Sequence, residues 1–254
     1  MSTLLQTLNI ETLPMNRVMH YAMIVLCHLS ILALMIQGAW GPLGVSLLLG
    51  YVISQLGISF MYHRVLTHNA VNVPWPIEAL LTFIGGLSLQ GSTLGWVATH
   101  NAHHKHQGLS GDPHSPARSH WLSVQLLGYT FRKVSGRHAG RLLRSKWHVW
   151  FHNHYWHIYG PIFFGALFLL PPVWALALVW APVALTWQLQ SLANTWGHNW
   201  GRDHIDEPHN SVLMFPFVLG DCWHANHHEK PGAVRFHKYD PIGWMGETFF
   251  KSTK

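Results

Sequence analysis

Residues 18–63 read VMHYAMIVLCHLSILALMIQGAWGPLGVSLLLGYVISQLGISFMYH, a run of 46 without one Asp, Glu, Lys or Arg. A membrane span needs about 20 mainly apolar residues to cross about 30 Å of hydrocarbon, so this run has the length of two. Gly41-Pro42 is the natural break, because proline and glycine both punctuate helices. The run is therefore expected to form one helix over 18–37 and a second over 43–62. A second uncharged run, residues 147–201, is 55 long and repeats the plan. There a helix starting at Phe151 or Ile158 and ending at Leu170, a break at Pro171-Pro172 and a helix from Val173 to Asn194 are expected. The fold class that follows is an all-α membrane protein with four transmembrane helices in two hairpins. One domain, 1–254, holds hairpin one (about 18–62), a middle segment (63–147), hairpin two (about 151–195) and a C-terminal segment (196–254).

Composition agrees. Only 10% of the 254 residues are charged, against roughly 25% in soluble domains. Cys27 and Cys222 are too few to staple a fold or hold an iron–sulfur cluster. Residues 1–16 carry no Lys or Arg to make the positive region of a cleavable signal, so the first apolar run is expected to remain as an anchor. The pI of about 9.5 comes without any nucleic-acid motif. No nucleic-acid partner is expected, and the positive charge suits anionic lipid headgroups.

Orientation follows from the basic residues. Neither hairpin turn has one, whereas 64–146 carries nine Lys or Arg against Glu78 and Asp112, and 202–254 carries six against seven acids. The positive-inside rule places the middle segment and both termini in the cytoplasm. Residues 77–95 are apolar enough to resemble a fifth span. Gly85-Gly86, Gln90 and Gly91 weaken it, and a crossing there would put His63 and His100 on opposite faces. A helix lying in the interface or buried in protein is expected instead.

The chain has 22 histidines, and their spacing is the strongest chemical signal in it. His63 and His68 form HxxxxH; His100, His103 and His104 form HxxHH; Asn194 and His198 form NxxxH; His224, His227 and His228 form a second HxxHH. Residues three and four apart share a helix face, so each HxxHH can converge on one side. HxxxxH suits a helix end, where two rings reach a site at different depths. Nine imidazoles exceed the needs of one four-coordinate zinc, and two metals sharing them is a natural count. Imidazole suits iron, zinc, copper and nickel alike. Among other polar residues, Asp112 and Asp221 could each orient a ligand imidazole; Asp112 could equally be a turn residue before Pro113. Asp221 could equally cap a helix. His106, His114 and His120 are candidates to stand behind the ligands. His148, His152, His154 and His157, set among Trp147, Trp150, Tyr155 and Trp156, read as part of an interfacial aromatic belt. His20 and His28 read as packing or interface residues.

In the order HxxxxH, HxxHH, NxxxH, HxxHH the sequence resembles the membrane fatty-acid desaturase family, in its Δ9 acyl-CoA and acyl-lipid branch. The likeness extends through 57–67 (GISFMYHRVLT), 96–116 (WVATHNAHH through GDPHSP) and 238–244 (KYDPIGW). It implies a centre of two iron ions, with the nine histidines as ligands and Asn194 reaching one iron through water. It also implies oxygen as oxidant, a separate electron donor such as cytochrome b5 or ferredoxin with its reductase, and a membrane lipid or acyl thioester as substrate. Ala98-Thr99 stand where animal and yeast acyl-CoA enzymes have Arg-Asp near the CoA headgroup, Asn101 where Arg is usual, and Asn69 where Arg is common. The headgroup positions thus depart from the pattern that the metal boxes keep.

Such a centre, held by neutral imidazoles, stays cationic and redox-capable. Two hydrogens taken from a methylene pair leave an alkene; one hydrogen followed by hydroxyl transfer leaves an alcohol. The protein's part is positioning, dryness and metal electronics. A related enzyme acting on a small specialised metabolite fits the altered headgroup positions. A non-enzymatic metal-binding membrane protein or transporter fits less well, since a transporter places ionisable groups mid-span and here the boxes lie at the span ends.

Overall fold

A computed structural model describes residues 9–11, 17–115, 121–127, 133–199 and 206–253. The first uncharged run folds as two antiparallel helices, α1 (Arg17–Ile36) and α2 (Trp40–Thr67). Their turn lies at Gln37–Ala39, earlier than the expected Gly41-Pro42. Gly38 takes φ +62° there, a left-handed conformation that glycine enters without a Cβ penalty. Gly41 and Pro42 fall in the first turn of α2, where a missing N–H leaves no hydrogen bond unmade.

The helix α2 also runs five residues past its expected end at Tyr62. From Ile53 to Thr67 it winds as a π-helix, with the His68 N–H donating to the His63 carbonyl at 3.1 Å. Asn69 follows at φ +51°. Asparagine enters the left-handed region more readily than most residues, which accounts for it at this position.

The second uncharged run gives α6 (Lys146–Leu169) and α7 (Pro172–Trp196), divided at Leu170-Pro171. Among the described residues, three helices, Val18–Ile36, α2 and α7, are long and apolar enough to cross a membrane. Helix α6 has 24 residues, about 36 Å at 1.5 Å per residue, but its first half is crowded with Trp and His. Its buried residues Phe151, Tyr155, Tyr159 and Phe163 recur every fourth position and pack on Met23, Ile24 and Cys27 of α1 and Trp180, Val183 and Trp187 of α7. Outward faces carry Val25, Leu29 and Leu32 of α1 and Phe168 of α6, all exposed.

Between the hairpins lie α3 (Trp75–Gly86), α4 (Thr93–His106) and the short α5 (Trp121–Leu127). The segment 77–95 does not form one continuous helix: it breaks at Leu87–Ser92, with Leu89 and Gly91 at positive φ. Gly85 and Gly86, which read as weak points of a span, are the points of close approach. A Cβ on Gly57 of α2 would meet Gly85 Cα at 2.7 Å, and one on Gly86 would overlap the Tyr159 hydroxyl. After α7 the chain folds over the same end of the bundle as α8 (Val212–Cys222), α9 (His224–Glu229) and α10 (Pro241–Phe249). A core of Ile58, Phe60, Tyr62, Trp96, Val97, Val134, Val234 and Ile242 joins α2, α4 and this C-terminal segment. That core fixes the histidine boxes relative to one another.

Candidate metal centre

The π-helical stretch explains the first box. A π-turn closes between residues five apart, so His63 and His68 come to lie one above the other, with ring centroids 4.9 Å apart. Their planes cross at 71°, so the two rings meet edge to face. Helix α4 presents His100, His103 and His104 from a firm start: Ser92 caps it by accepting the Gly95 N–H. His152 bonds Ser92 at 2.5 Å, and His148 bonds Thr93 at 3.1 Å while facing Glu78 at 3.3 Å. His148 is buried, so it anchors α4 rather than lying in an interfacial belt. His154 stacks on Trp150 at 4.8 Å, away from the boxes.

The nine histidines divide into two groups. His63, His68, His100, His104 and His227 form one, and His103, His198, His224 and His228 the other, with ring nitrogens in each group within 4.8 Å of one another. In the first, Nε2 of His227 lies 3.0 Å from His63 and 2.9 Å from His104, and Nε2 of His100 lies 3.0 Å from His104 and 3.2 Å from His68. In the second, Nε2 of His224 lies 2.9 Å from His198 and 3.2 Å from His228. Each HxxHH is thus shared out, two residues to one group and one to the other. His103 Nε2 is buried without a hydrogen-bond partner, as expected of a nitrogen meant for an ion. Asn194 lines the cavity of His63, His100 and His224, together with Trp96, Gln190, Ala193 and Asp221.

Burial strongly favours the neutral imidazole, the form that binds metal, at seven of the nine. It lowers His68, His100, His103, His224, His227 and His228 well below the usual value and brings His104 to about 3, neighbouring histidines adding to each shift.

Three carboxylates stand behind the rings. Asp112 Oδ2 lies 2.9 Å from His103 Nδ1; burial, with Asp206 nearby, pushes its carboxyl up to about 7. Asp206 Oδ1 lies 2.9 Å from His198 Nδ1, close enough to pair though out of hydrogen-bond alignment. Asp221 Oδ1 lies 3.6 Å from His63 Nδ1 and 3.0 Å from Arg64. Burial works to raise Asp221, but Arg64 and His63 prevail and hold it at about 2. Asp221 therefore faces a ring and caps no helix. Asp206 was not expected from the sequence. It reaches His198 because 198–199 pairs antiparallel with 207–208, His198 opposite Pro208. The available signal was scarcity: acids are few, and this one follows a histidine box within eight residues. His114 stacks on His103 at 4.2 Å, while His106 lies beside His138 instead. His120 lies outside the described residues.

The HxxxxH box is tied to the C-terminus by Arg64, whose side chain is fully buried. It donates to Ser59 O and Oγ, to Asp221 at 3.0 Å and to Asp240 at 3.1 Å. Asp240 also caps α10 by accepting the Gly243 N–H. The sequence model of the fatty acid desaturase family matches residues 11–251. This chain belongs to the fatty acid desaturase family.

Its relatives include two proteins of Arabidopsis thaliana. "Delta-9 acyl-lipid desaturase 1" is 32% identical over 77% of this chain and 67% of its own length, and "Delta-9 acyl-lipid desaturase 2" is 33% identical over 77% and 66%. The "sn-2 palmitoyl-lipid 9-desaturase" of Nostoc sp. (strain 36) is 28% identical over 78% and 73%. This desaturase-family chain thus spans about two thirds to three quarters of their lengths. Its departures from the family pattern have local roles: Asn101 donates to the His138 carbonyl at 2.8 Å, and Ala98 is fully buried.

Proposed function

We propose that this chain desaturates a fatty acyl chain in the Δ9 manner at a centre of two iron ions, using oxygen and electrons from a separate carrier. The observation that carries the reading is the division of nine imidazoles into a group of five and an adjoining group of four. One iron would be held by His63, His68, His100, His104 and His227. The other would be held by His103, His198, His224 and His228, with Asn194 through water. When bound, the pair supplies the oxygen activation and two-electron chemistry that removal of two hydrogens from an unactivated methylene pair requires. Asp112, Asp206 and Asp221 orient His103, His198 and His63 through their Nδ1 atoms, which aims Nε2 inward and raises the basicity of each ring. Trp96 and Ala193 supply apolar wall beside the histidines. No side chain acts as acid or base on the substrate.

The same reading makes α6 the fourth span and puts the metal centre and both termini on the cytoplasmic face. A carrier such as cytochrome b5 or ferredoxin, with its reductase, supplies the electrons. A related oxidation of a small metabolite is the second reading, favoured by Ala98 and Asn101, which are engaged in packing rather than available to a charged headgroup. Expression in a host lacking the unsaturated chain separates the two: a new monounsaturated acyl chain supports the first, and an unchanged lipid profile with iron and donor present supports the second.

A further inference from the structure

Helix α8 leaves the metal centre and comes back to it. Before it, Asp206 Oδ1 stands 2.9 Å from His198 Nδ1, and after it His224 Nε2 stands 2.9 Å from His198 Nε2. The Ser211 N–H closes the neck by donating to the Cys222 carbonyl at 2.9 Å, and Leu219, at φ +44°, turns the chain back. Between these points the segment is apolar on every side. No Asp, Glu, Lys or Arg occurs from Pro208 to Gly220. Met214, Val218 and Cys222 pack inward with Leu189 of α7, and Tyr51 of α2 and Leu185 of α7 join them. Val212, Leu213 and Phe217 lie on the outside, 67%, 79% and 50% exposed. A helix that is apolar all round belongs in a protein core or in hydrocarbon, and these three side chains are not in the core.

The depth of α8 follows from its neighbours. Gln188, the residue before Leu189, has its Nε2 2.9 Å from His28 Nε2 of α1, and Trp187 packs on His20 with ring centroids 5.4 Å apart. His20 and His28 lie three and eleven residues into α1 from Arg17, about 5–16 Å along its axis. Helix α8 therefore packs beside the interior of the long helices, not beyond their ends. Its backbone is satisfied accordingly. The last carbonyls of a helix have no partner within it. Here the Tyr51 hydroxyl donates to the Pro216 carbonyl at 3.2 Å, and Gln55 Nε2 donates to the Phe217 carbonyl at 3.3 Å. Side chains of α2 thus do what water does at an exposed helix end, as hydrocarbon requires. At 11 residues the segment is too short to cross, since a span needs about 20.

We infer that α8 is a re-entrant element that dips into the leaflet on the metal-centre side, beside α2 and α7, with Val212, Leu213 and Phe217 against lipid acyl chains. This rests on the reading that α1, α2 and α7 span the membrane, and it draws part of the C-terminal segment into the bilayer. The test uses iron-loaded enzyme in phosphatidylcholine vesicles, with a bimane fluorophore on single cysteines at Leu213, Phe217, Leu29 and Lys238 in a Cys27→Ala, Cys222→Ala background. Leu213 and Phe217 should match Leu29 of α1, quenched by lipids brominated on the acyl chain and shielded from aqueous iodide, while Lys238 shows the reverse. Iodide quenching at Leu213 and Phe217, with Leu29 still shielded, overturns the proposal and leaves the spans intact. Iodide quenching at Leu29 as well overturns the spanning reading and this one with it. Shielding of Leu213 and Phe217 from both quenchers means that a protein surface covers them, which also overturns it. If the cysteine variants do not retain iron, the unaltered chain is irradiated with a phospholipid bearing a diazirine on its acyl chain, and peptides are mapped by mass spectrometry. Adducts within 212–217 uphold the proposal, and their absence while residues 25–32 of α1 are labelled overturns it.

Discussion

Arg64→Met removes a guanidinium that has no contact with solvent and leaves two buried carboxylates without the cation they share. Asp221 and Asp240 are each at most 6% exposed, and each gives up an ion pair of about 3 Å to Arg64. Breaking a buried pair on one side is worth about 3–5 kcal/mol, because the remaining charge is left uncompensated. At roughly 2–4 °C per kcal/mol for a chain of this size, melting in detergent should fall by on the order of 10 °C. The loss should not be purely global. Asp221 is held between Arg64 and His63, so the five-histidine group should lose metal before the group of four does. Thermal unfolding and iron quantification, with a cobalt-substituted sample to distinguish the two sites spectroscopically, measure both effects. A variant that melts within about 2 °C of wild type and retains two metals would refute the claim that this network positions His63. Arg64→Lys, which keeps the charge but not the fork of donors, should fall between the two.

The remaining predictions are shorter. His104→Ala and His228→Ala should each reduce metal content from close to two per chain toward one and abolish turnover, since each truncates a different histidine group; full activity in either would remove that residue from the ligand set. Gly220→Ala should destabilise nearly as much as Arg64→Met, because the added Cβ would overlap Asp240 Oδ1 and crowd Arg64; denaturant midpoints decide it. His104 and His114 are both held at about 3 by burial, against 6.5 unfolded. Between those values the unfolded chain binds protons that the folded rings refuse, so metal-free protein should lose stability as pH falls below about 6.5, and a higher melting temperature at pH 5 than at pH 7.5 would contradict this. Tags near Arg137 and at the C-terminus should be reachable from the cytoplasm and tags at Gly41 and Pro172 from the other side, by protease protection in oriented vesicles.

The helices of the two uncharged runs and the candidate histidine boxes were legible in the sequence because each rests on a short-range pattern, whereas the split of each HxxHH between two groups was not. An uncharged run has a length, and residues three or four apart share a helix face. What escaped depends on backbone conformation or on distant pairing. The turn at Gly38 was misplaced because Gly41-Pro42 is the stronger dipeptide signal, though proline is equally at home in a first helical turn. The edge-to-face contact of His63 and His68 depends on π-winding, which no local composition announced. Gly85 and Gly86 read as helix weaknesses, and only the packed structure reveals them, with Gly57, as contact points between α2, α3 and α6. Asp206 reaches His198 through strand pairing across a loop. His148 looks interfacial beside its tryptophans, but Thr93 and Glu78 draw it inside.

The central claim is that this centre oxidises an acyl chain, and the most direct test is the lipid profile of a host that makes no corresponding unsaturated fatty acid. With this chain, a competent electron donor and oxygen, mass spectrometry should find a new monounsaturated acyl chain that disappears under anaerobic growth and in His63→Ala. Iron-loaded protein present in the membrane with every acyl chain unchanged would contradict the account.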